Sequence, residues 1–264
     1  MIGKLSLRFV ALGYLAILIV APLGVVAWRT FAHGLALPWH EVTSPDALHA
    51  LYLTVLIAAI AVPLNTIFGV LCALLIVRHR FRGVGVLNAL VDLPIAISPV
   101  IVGLMIFVLY GRTGWFGPAL SAHGIQVLFA LPAMVLATMF VSLPFVVREV
   151  VPVLREIGTD QEQAAATLGA RPFAIFRRVT FPSIRWAVSY GVVVTTARAI
   201  GEFGAVSLVS GAIICKTETM TLRVQGNVES YNTVGAYADS ILLALIAIAT
   251  LITMNRLRPK EGVQ

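Results

Sequence analysis

At 264 residues, the chain is 59% hydrophobic and only 12% charged, against about 25% charged residues in soluble domains. That composition excludes a soluble enzyme or binding module and places the chain in a membrane. The formal charge of +7 would suit nucleic acid, but its distribution along the chain excludes that partner.

Lys4 and Arg8 precede an uncharged run from Phe9 to Trp28. The run has the length of a membrane span, about 20 residues, whereas the apolar core of a signal peptide has about 7–15. A retained first membrane helix is therefore expected over about 9–28. A polar loop with Pro38, Pro45 and Asp46 follows. The second span is expected over 51–77, mildly interrupted by Pro63 and Asn65, and Arg78, Arg80 and Arg82 come directly after it. The third, 84–110, carries Asp92, Pro94, Ser98, Pro99 and Gly103. A turn-rich loop leads to the fourth, 125–147. Residues 148–185 then form the longest polar interruption. The fifth span, 186–214, contains Arg198 and Glu202, and Cys215 to Asp239 is polar. The sixth and weakest covers about 236–255. The expected architecture is all-α: one polytopic domain over 1–264 with six transmembrane helices.

Six spans put both termini on one side. That side collects 14 of the 19 basic residues, including Lys4, Arg8, Arg80, Arg258 and Lys260. The other side has four, Arg29, Arg112, Lys216 and Arg223, and Arg198 lies within a span. The positive-inside rule places both termini and the 148–185 loop in the cytoplasm. The positive charge is thus topological. No Walker A pattern or glycine-rich phosphate loop is present, so any energy source must sit on a partner, and no cofactor is expected. Cys72 and Cys215 are expected near opposite membrane faces, which excludes a mutual disulfide. His33, His40, His49, His79 and His123 lack zinc-type spacing, and no metal site is expected. No Ser/His or HExxH arrangement offers catalytic residues in the spans.

Arg198 lies about 18 Å along the fifth span, near the middle of a hydrocarbon core of about 30 Å. Charges at that depth face a bundle interior or a cavity. Its spacing from Glu202 is i, i+4, which lets the two pair on one helical face. Three readings stand: a self-neutralising pair, a helix-to-helix tie, or a guanidinium that meets a passing anion. Gly201, Gly204 and Gly211 permit close helix approach or a bend. Pro94 and Pro99 free backbone carbonyls, which is tolerated inside protein or along a water cavity. Ser98, Pro99, Gly201 and Gly204 join Arg198 and Glu202 as candidate pathway residues. Asp92 either joins them or pairs with basic neighbours.

The 148–185 loop centres on TDQEQAAATLGARPFAIFRRVTFP, Thr159 to Pro182. Thr159 is expected to cap a short helix, with Glu162 reaching back to the cap's N–H. Ala164, Ala165 and Ala166 are strong helix formers. Gly169 suits the left-handed position that ends a helix, and Pro172 the first turn of the next. Arg171, Arg177, Arg178 and Arg185 make the stretch basic, and Pro182 is expected to end it. Such a segment is either a solvated connector or a docking element whose small-residue surface admits another protein's backbone.

The stretch resembles the EAA loop of ABC-importer permeases: E-A-A, three residues, G, nine residues, I-x-L-P. Here Gln163-Ala164-Ala165, Gly169 and, nine residues later, Val179-Thr180-Phe181-Pro182 keep that spacing. Gln163 replaces Glu, Val179 Ile and Phe181 Leu, and Glu162 puts an acid one place early, about 100° around the helix. DLPIAISPVIVGL (92–104), YGRTGWFGP (110–118), FVSLPFVVREVVPVL (140–154) and ARAIGEFGAVSLVSG (197–211) are similar to sulfate and thiosulfate permease subunits. GEFGAV followed by VSG resembles the W-type more than the T-type, which has GEYGSV.

The resemblance implies a type I ABC importer permease fold in a prokaryotic inner membrane. It implies a homologous T-type permease, two cytoplasmic ATPase subunits that bind the ATP, and an extracytoplasmic sulfate-binding protein. It also implies docking on the ATPase through Glu162, Gln163, Ala164, Ala165, Gly169, Arg171 and Pro182, and no catalysis by this chain. The nearest alternative is a molybdate or tungstate permease. From other classes come a proton-coupled anion carrier, which would have no use for an ATPase-docking loop, and an intramembrane enzyme.

Overall fold

The structure is a computed structural model that describes residues 9–10, 12–32, 34–79 and 81–257. Lys4, Arg8, His33, Arg80, Arg258 and Lys260 lie outside the described residues. The described residues form helices and loops without strands. In order, the helices are α1 (Leu12–Phe31), α2 (Ala36–Val42), α3 (Pro45–Arg78), α4 (Val84–Ala96), α5 (Pro99–Tyr110), α6 (Gly117–Ala122), α7 (Leu131–Glu156) and α8 (Asp160–Thr167). Then come α9 (Pro172–Ile200), α10 (Gly204–Ser210), α11 (Met220–Glu229) and α12 (Thr233–Leu257).

Among the described residues four helices, α1, α3, α7 and α12, are long and apolar enough to cross a membrane, and the count becomes six if each of two bent pairs is one span. The third expected span is one of these pairs. The chain turns by 109° between α4 and α5, so 84–110 is not a continuous helix. Pro99 opens α5, and its missing N–H is harmless in a first turn. The fifth expected span is the other pair, α9 and α10, bent by 52° across Gly201–Phe203.

The helix ends also depart from the apolar runs. Ser44 caps α3 by accepting a hydrogen bond from Ala47 N–H at 3.3 Å, so the helix starts six residues before position 51. Pro63 and Asn65 do not interrupt it. Buried Asn65 instead donates to Met139 O at 2.9 Å and Ser142 Oγ at 2.8 Å, tying α3 to α7. Helix α7 starts at Leu131, where Pro132 suits the first turn, and runs through Arg148 to Glu156. Charges end an apolar run, but they do not end a ladder of backbone hydrogen bonds. Helix α9 likewise runs through Pro182 rather than stopping there. A wide π-turn over Phe176–Thr180, closed by Phe181 N–H to Phe176 O, precedes the proline and makes room for its ring.

Helices α3, α7 and α9 form the centre. A methyl group on Gly69 of α3 would lie 2.8 Å from Val146 Cβ of α7, and one on Gly191 of α9 would lie 3.1 Å from Val146 Cα. Small residues permit this backbone approach. Val70, Ile76, Val147, Val150, Leu154 and Ile184 fill the half nearer α8. Leu53, Ile57, Met134, Val141, Val206 and Val209 fill the other. No residue in the hydrophobic window of α1 is buried within the chain.

Candidate functional site

Helix α8 and its flanks realise the expected turn chemistry at one end only. Gly169 has φ +81°. Its N–H donates to Ala166 O at 2.9 Å, and Ala170 N–H reaches Ala165 O at 3.1 Å. This is the paired closure of a helix by a left-handed residue. At the other end the expected capping box is absent. The Thr159 hydroxyl does not cap α8 and accepts instead from Gln163 Nε2 at 2.9 Å. Glu162 turns away from the cap towards the bundle.

There Glu162 meets Arg78, the last residue of α3. Nε of Arg78 is 3.0 Å from Oε2, and Nη2 donates to Oε1 at 3.1 Å. Thr180 Oγ1 of α9 donates to the same Oε1 at 2.8 Å, and Arg78 Nη1 donates to Leu154 O of α7 at 3.0 Å. In the sequence Arg78 bears only on topology. The available signal was the acid one position early, since 100° of rotation moves it from the outer to the inner face.

The outer face keeps Gln163 and Ala164 exposed, Ala165 partly so, and Gly169 and Arg171 open. Leu168 is 88% exposed and Phe173 73%. Both are large apolar side chains left exposed on an otherwise polar loop. Pro182 is also exposed, but on α9 and beyond the π-turn.

Arg198 Nη1 is 2.7 Å from Glu202 Oε2. The pair does not lie on one continuous helical face, because α9 ends at Ile200 and Gly201 is its C-cap. Glu202 stands in the break. Its Oε1 accepts from Ala205 N–H of α10 at 2.8 Å, and its backbone O accepts from Thr221 Oγ1 at 2.9 Å. Buried Glu202 is thereby fixed, while Arg198 keeps 30% of its side chain accessible.

The breaks in the two bent pairs meet. A methyl group on Gly204 would lie 3.0 Å from Pro99 Cβ, and one on Gly103 would lie 2.6 Å from Ala205 O. Pro99, Gly204 and the Arg198–Glu202 pair thus gather around one discontinuity, with Ser98 exposed at the start of α5. Asp92 does not join them. Its Oδ1 accepts from Arg148 Nε and Nη2, each at 2.8 Å, so it ties α4 to α7.

Arg223, expected in a polar loop, is buried on α11. Its Nε donates to Asp239 Oδ2 at 3.1 Å and its Nη2 to Ser44 Oγ at 3.2 Å. Glu41 and Glu218 each lie 3.9 Å from the guanidinium. Asn227 adds a 2.9 Å bond to Asp239, which is 0% exposed. Burial pushes the Glu218 carboxyl above its ordinary range against the pull of Arg223. Cys72 is buried, Cys215 is exposed, and both are free thiols. Among the described residues no group of three His, Cys, Asp or Glu side chains is placed to hold a metal ion.

Residues 65–262 match the family model described as binding-protein-dependent transport system inner membrane component. The chain is 48% identical over 260 residues to the sulfate transport system permease protein CysW of Synechococcus elongatus, covering 98% of this chain and 91% of that protein. It is 33% identical over 249 residues to the sulfate transport system permease protein CysT of Salmonella typhimurium, covering 94% and 90%. Among solved structures, a bacterial ABC transporter involved in importing the acidic polysaccharide alginate superposes with a TM-score of 0.80 at 16% identity, covering 96% of this chain and 94% of that one. That likeness bears on the fold alone.

Proposed function

The chain belongs to the binding-protein-dependent transport system inner membrane component family and, within it, to the W-type sulfate permeases, and from that premise we propose that it forms half of the membrane pathway of an ATP-driven sulfate or thiosulfate importer. The other half is a T-type permease. Two cytoplasmic ATPase subunits bind the ATP, and an extracytoplasmic binding protein delivers the anion. The chain itself catalyses no reaction and holds no cofactor. The observation that carries this reading is α8. A short helix is closed by a left-handed glycine in the EAA spacing, with Leu168 and Phe173 exposed beside it. Gln163, Ala164, Ala165, Gly169 and Arg171 offer the docking surface, Glu162 holds it from behind, and Pro182 belongs to the helix that follows. The basic residues on the α8 side support a cytoplasmic position for the loop and both termini.

Within the membrane, Arg198 is the residue that meets the anion. A dianion leaving water needs donors, because an unpaired charge in low dielectric is very costly. Glu202 is held by Ala205 N–H, so Arg198 is the partner free to turn. Ser98, Pro99, Gly201 and Gly204 shape the break beside it. Radiolabelled sulfate uptake in a permease-null strain tests the function, with thiosulfate and molybdate as competitors. Restored uptake blocked by excess thiosulfate is expected. Uptake of molybdate in place of sulfate, or uptake with no ATPase subunit in the purified complex, would overturn it.

A further inference from the structure

We infer that Arg78 is a positioning residue for transport: it fastens the docking helix α8 to the membrane helices, so that a displacement of α8 reaches α3, α7 and α9 together. The inference rests on the docking role proposed for α8 and concerns what happens after docking.

Helix α8 contains no buried residue, so apolar packing does not fix its place. Its covalent links to α7 and α9 each contain a left-handed glycine, Gly158 at φ +63° and Gly169 at φ +81°. These turns set the direction of the chain at either end of the helix. The side-chain connection of α8 to the bundle is polar. Three contacts of 3.1 Å or less converge on the Glu162 carboxylate, two from Arg78 and one from Thr180. Arg78 spends its remaining fork nitrogen on Leu154 O.

An exposed ion pair would transmit little, since water screens such pairs and they rearrange freely. This one is different in kind. The side chains are only 12% and 20% exposed, and the guanidinium donates to Oε1 through Nη2 while its Nε lies 3.0 Å from Oε2. Arg78 also lies at the C-terminus of α3 and Glu162 in the first turn of α8, where both helix dipoles favour those charges. One arginine therefore joins the end of one membrane helix to the backbone of a second, to the docking helix, and through Glu162 to a third. Coupling between sites needs such a physically continuous link whose arrangement both sites bias.

The test uses the assembled complex in proteoliposomes and reads sulfate transported per ATP hydrolysed, alongside ATPase copurification. Arg78→Met is expected to keep the ATPase subunits bound while transport per ATP falls roughly tenfold, within the usual span of coupling effects. Arg78→Lys should fall in between, because an ammonium keeps the charge but lacks the planar fork that reaches the carboxylate and the Leu154 carbonyl from separate nitrogens. Glu162→Gln keeps the shape of the side chain and its acceptor for Thr180. It serves as the decisive variant if Arg78→Met does not accumulate, and the same fall is expected in a milder form. An unchanged ratio in both Arg78→Met and Glu162→Gln overturns the inference. Loss of the ATPase subunits from Arg78→Met also overturns it, by making the residue part of docking instead. Failure of docking itself shows separately, as a Leu168→Glu complex that keeps its ATPase subunits and full uptake.

Discussion

Each end of helix α3 meets an arginine, and the two ends are built differently. At the last residue, Arg78 pairs with one acid, Glu162, in a balanced and partly accessible contact. At the N-cap, Arg223 from α11 touches Ser44 and is surrounded by three acids, Glu41, Glu218 and Asp239, with Asp239 wholly buried. The first arginine holds a helix that has no apolar anchor. The second sits among elements already packed through Met220, Leu222, Ala236 and Ala238, all 4% exposed or less. A connection that holds a segment without an apolar anchor can govern its movement without governing the fold. A cation that neutralises buried acids inside a packed region governs the fold first.

The largest effect should therefore come from Arg223. Arg223→Met leaves Asp239 and its neighbours without their cation, and stability should fall by about 3–5 kcal/mol. A thermal unfolding scan of the detergent-solubilised complex measures it, and adding Asp239→Asn should recover part of the loss. An unchanged midpoint in Arg223→Met would erase the contrast between the two ends. Next comes Gly169→Asp, which forces a side chain into a left-handed conformation at a cost of about 1–2 kcal/mol. The site is open, with nothing within 4 Å of an added Cβ, so the strain is confined to the backbone. Sulfate uptake should drop to background while the membrane level stays normal, and normal uptake would sink the docking role.

A third measurement asks whether the pair at the helix break resembles either end. If Arg198 only neutralises Glu202, the double variant Arg198→Met with Glu202→Gln should recover both assembly and uptake lost in Arg198→Met. If Arg198 meets the anion, the double variant should assemble and still not transport, which is the expected result. The smallest effect is a pH dependence at the Arg223 cluster. Burial raises the Glu218 carboxyl above its ordinary 4.5, so the folded state binds that proton more tightly than the unfolded one. The resulting stability is present below that ordinary value and is lost as pH rises through the folded value. Glu218→Gln should flatten this part of the curve of unfolding midpoint against pH, and an unaltered curve would remove Glu218 from the account.

Much of the 148–185 loop is legible in the sequence. Gly169 could be placed in the left-handed region because a short alanine-rich helix has to stop and only glycine stops it there without strain. The capping box expected at Thr159 and Glu162 does not form, for an equally physical reason. A local bond to a cap N–H competes with a guanidinium, and the charged, two-point contact is the stronger. That guanidinium lies 84 positions earlier in the chain, so no window of sequence around Glu162 contains it. Hydropathy places Arg223 in a polar loop because it counts the charge and not its partners.

By itself the sequence determined membrane residence, because the free energy of moving apolar side chains out of water depends on composition and run length alone. It also determined the EAA spacing, the helix-stopping glycine and the i, i+4 distance between Arg198 and Glu202. Only the tertiary structure decided where the helices end, since backbone hydrogen bonds continue past a charge such as Arg148 once Asp92 meets it. It alone turned 84–110 and 172–210 into bent pairs whose breaks meet at Pro99 and Gly204, because a proline or glycine permits a bend and a packed neighbour makes it. It alone also chose the partners of Glu162 and Arg223, because a buried charge is satisfied by whatever the fold brings within about 3 Å, however distant in sequence.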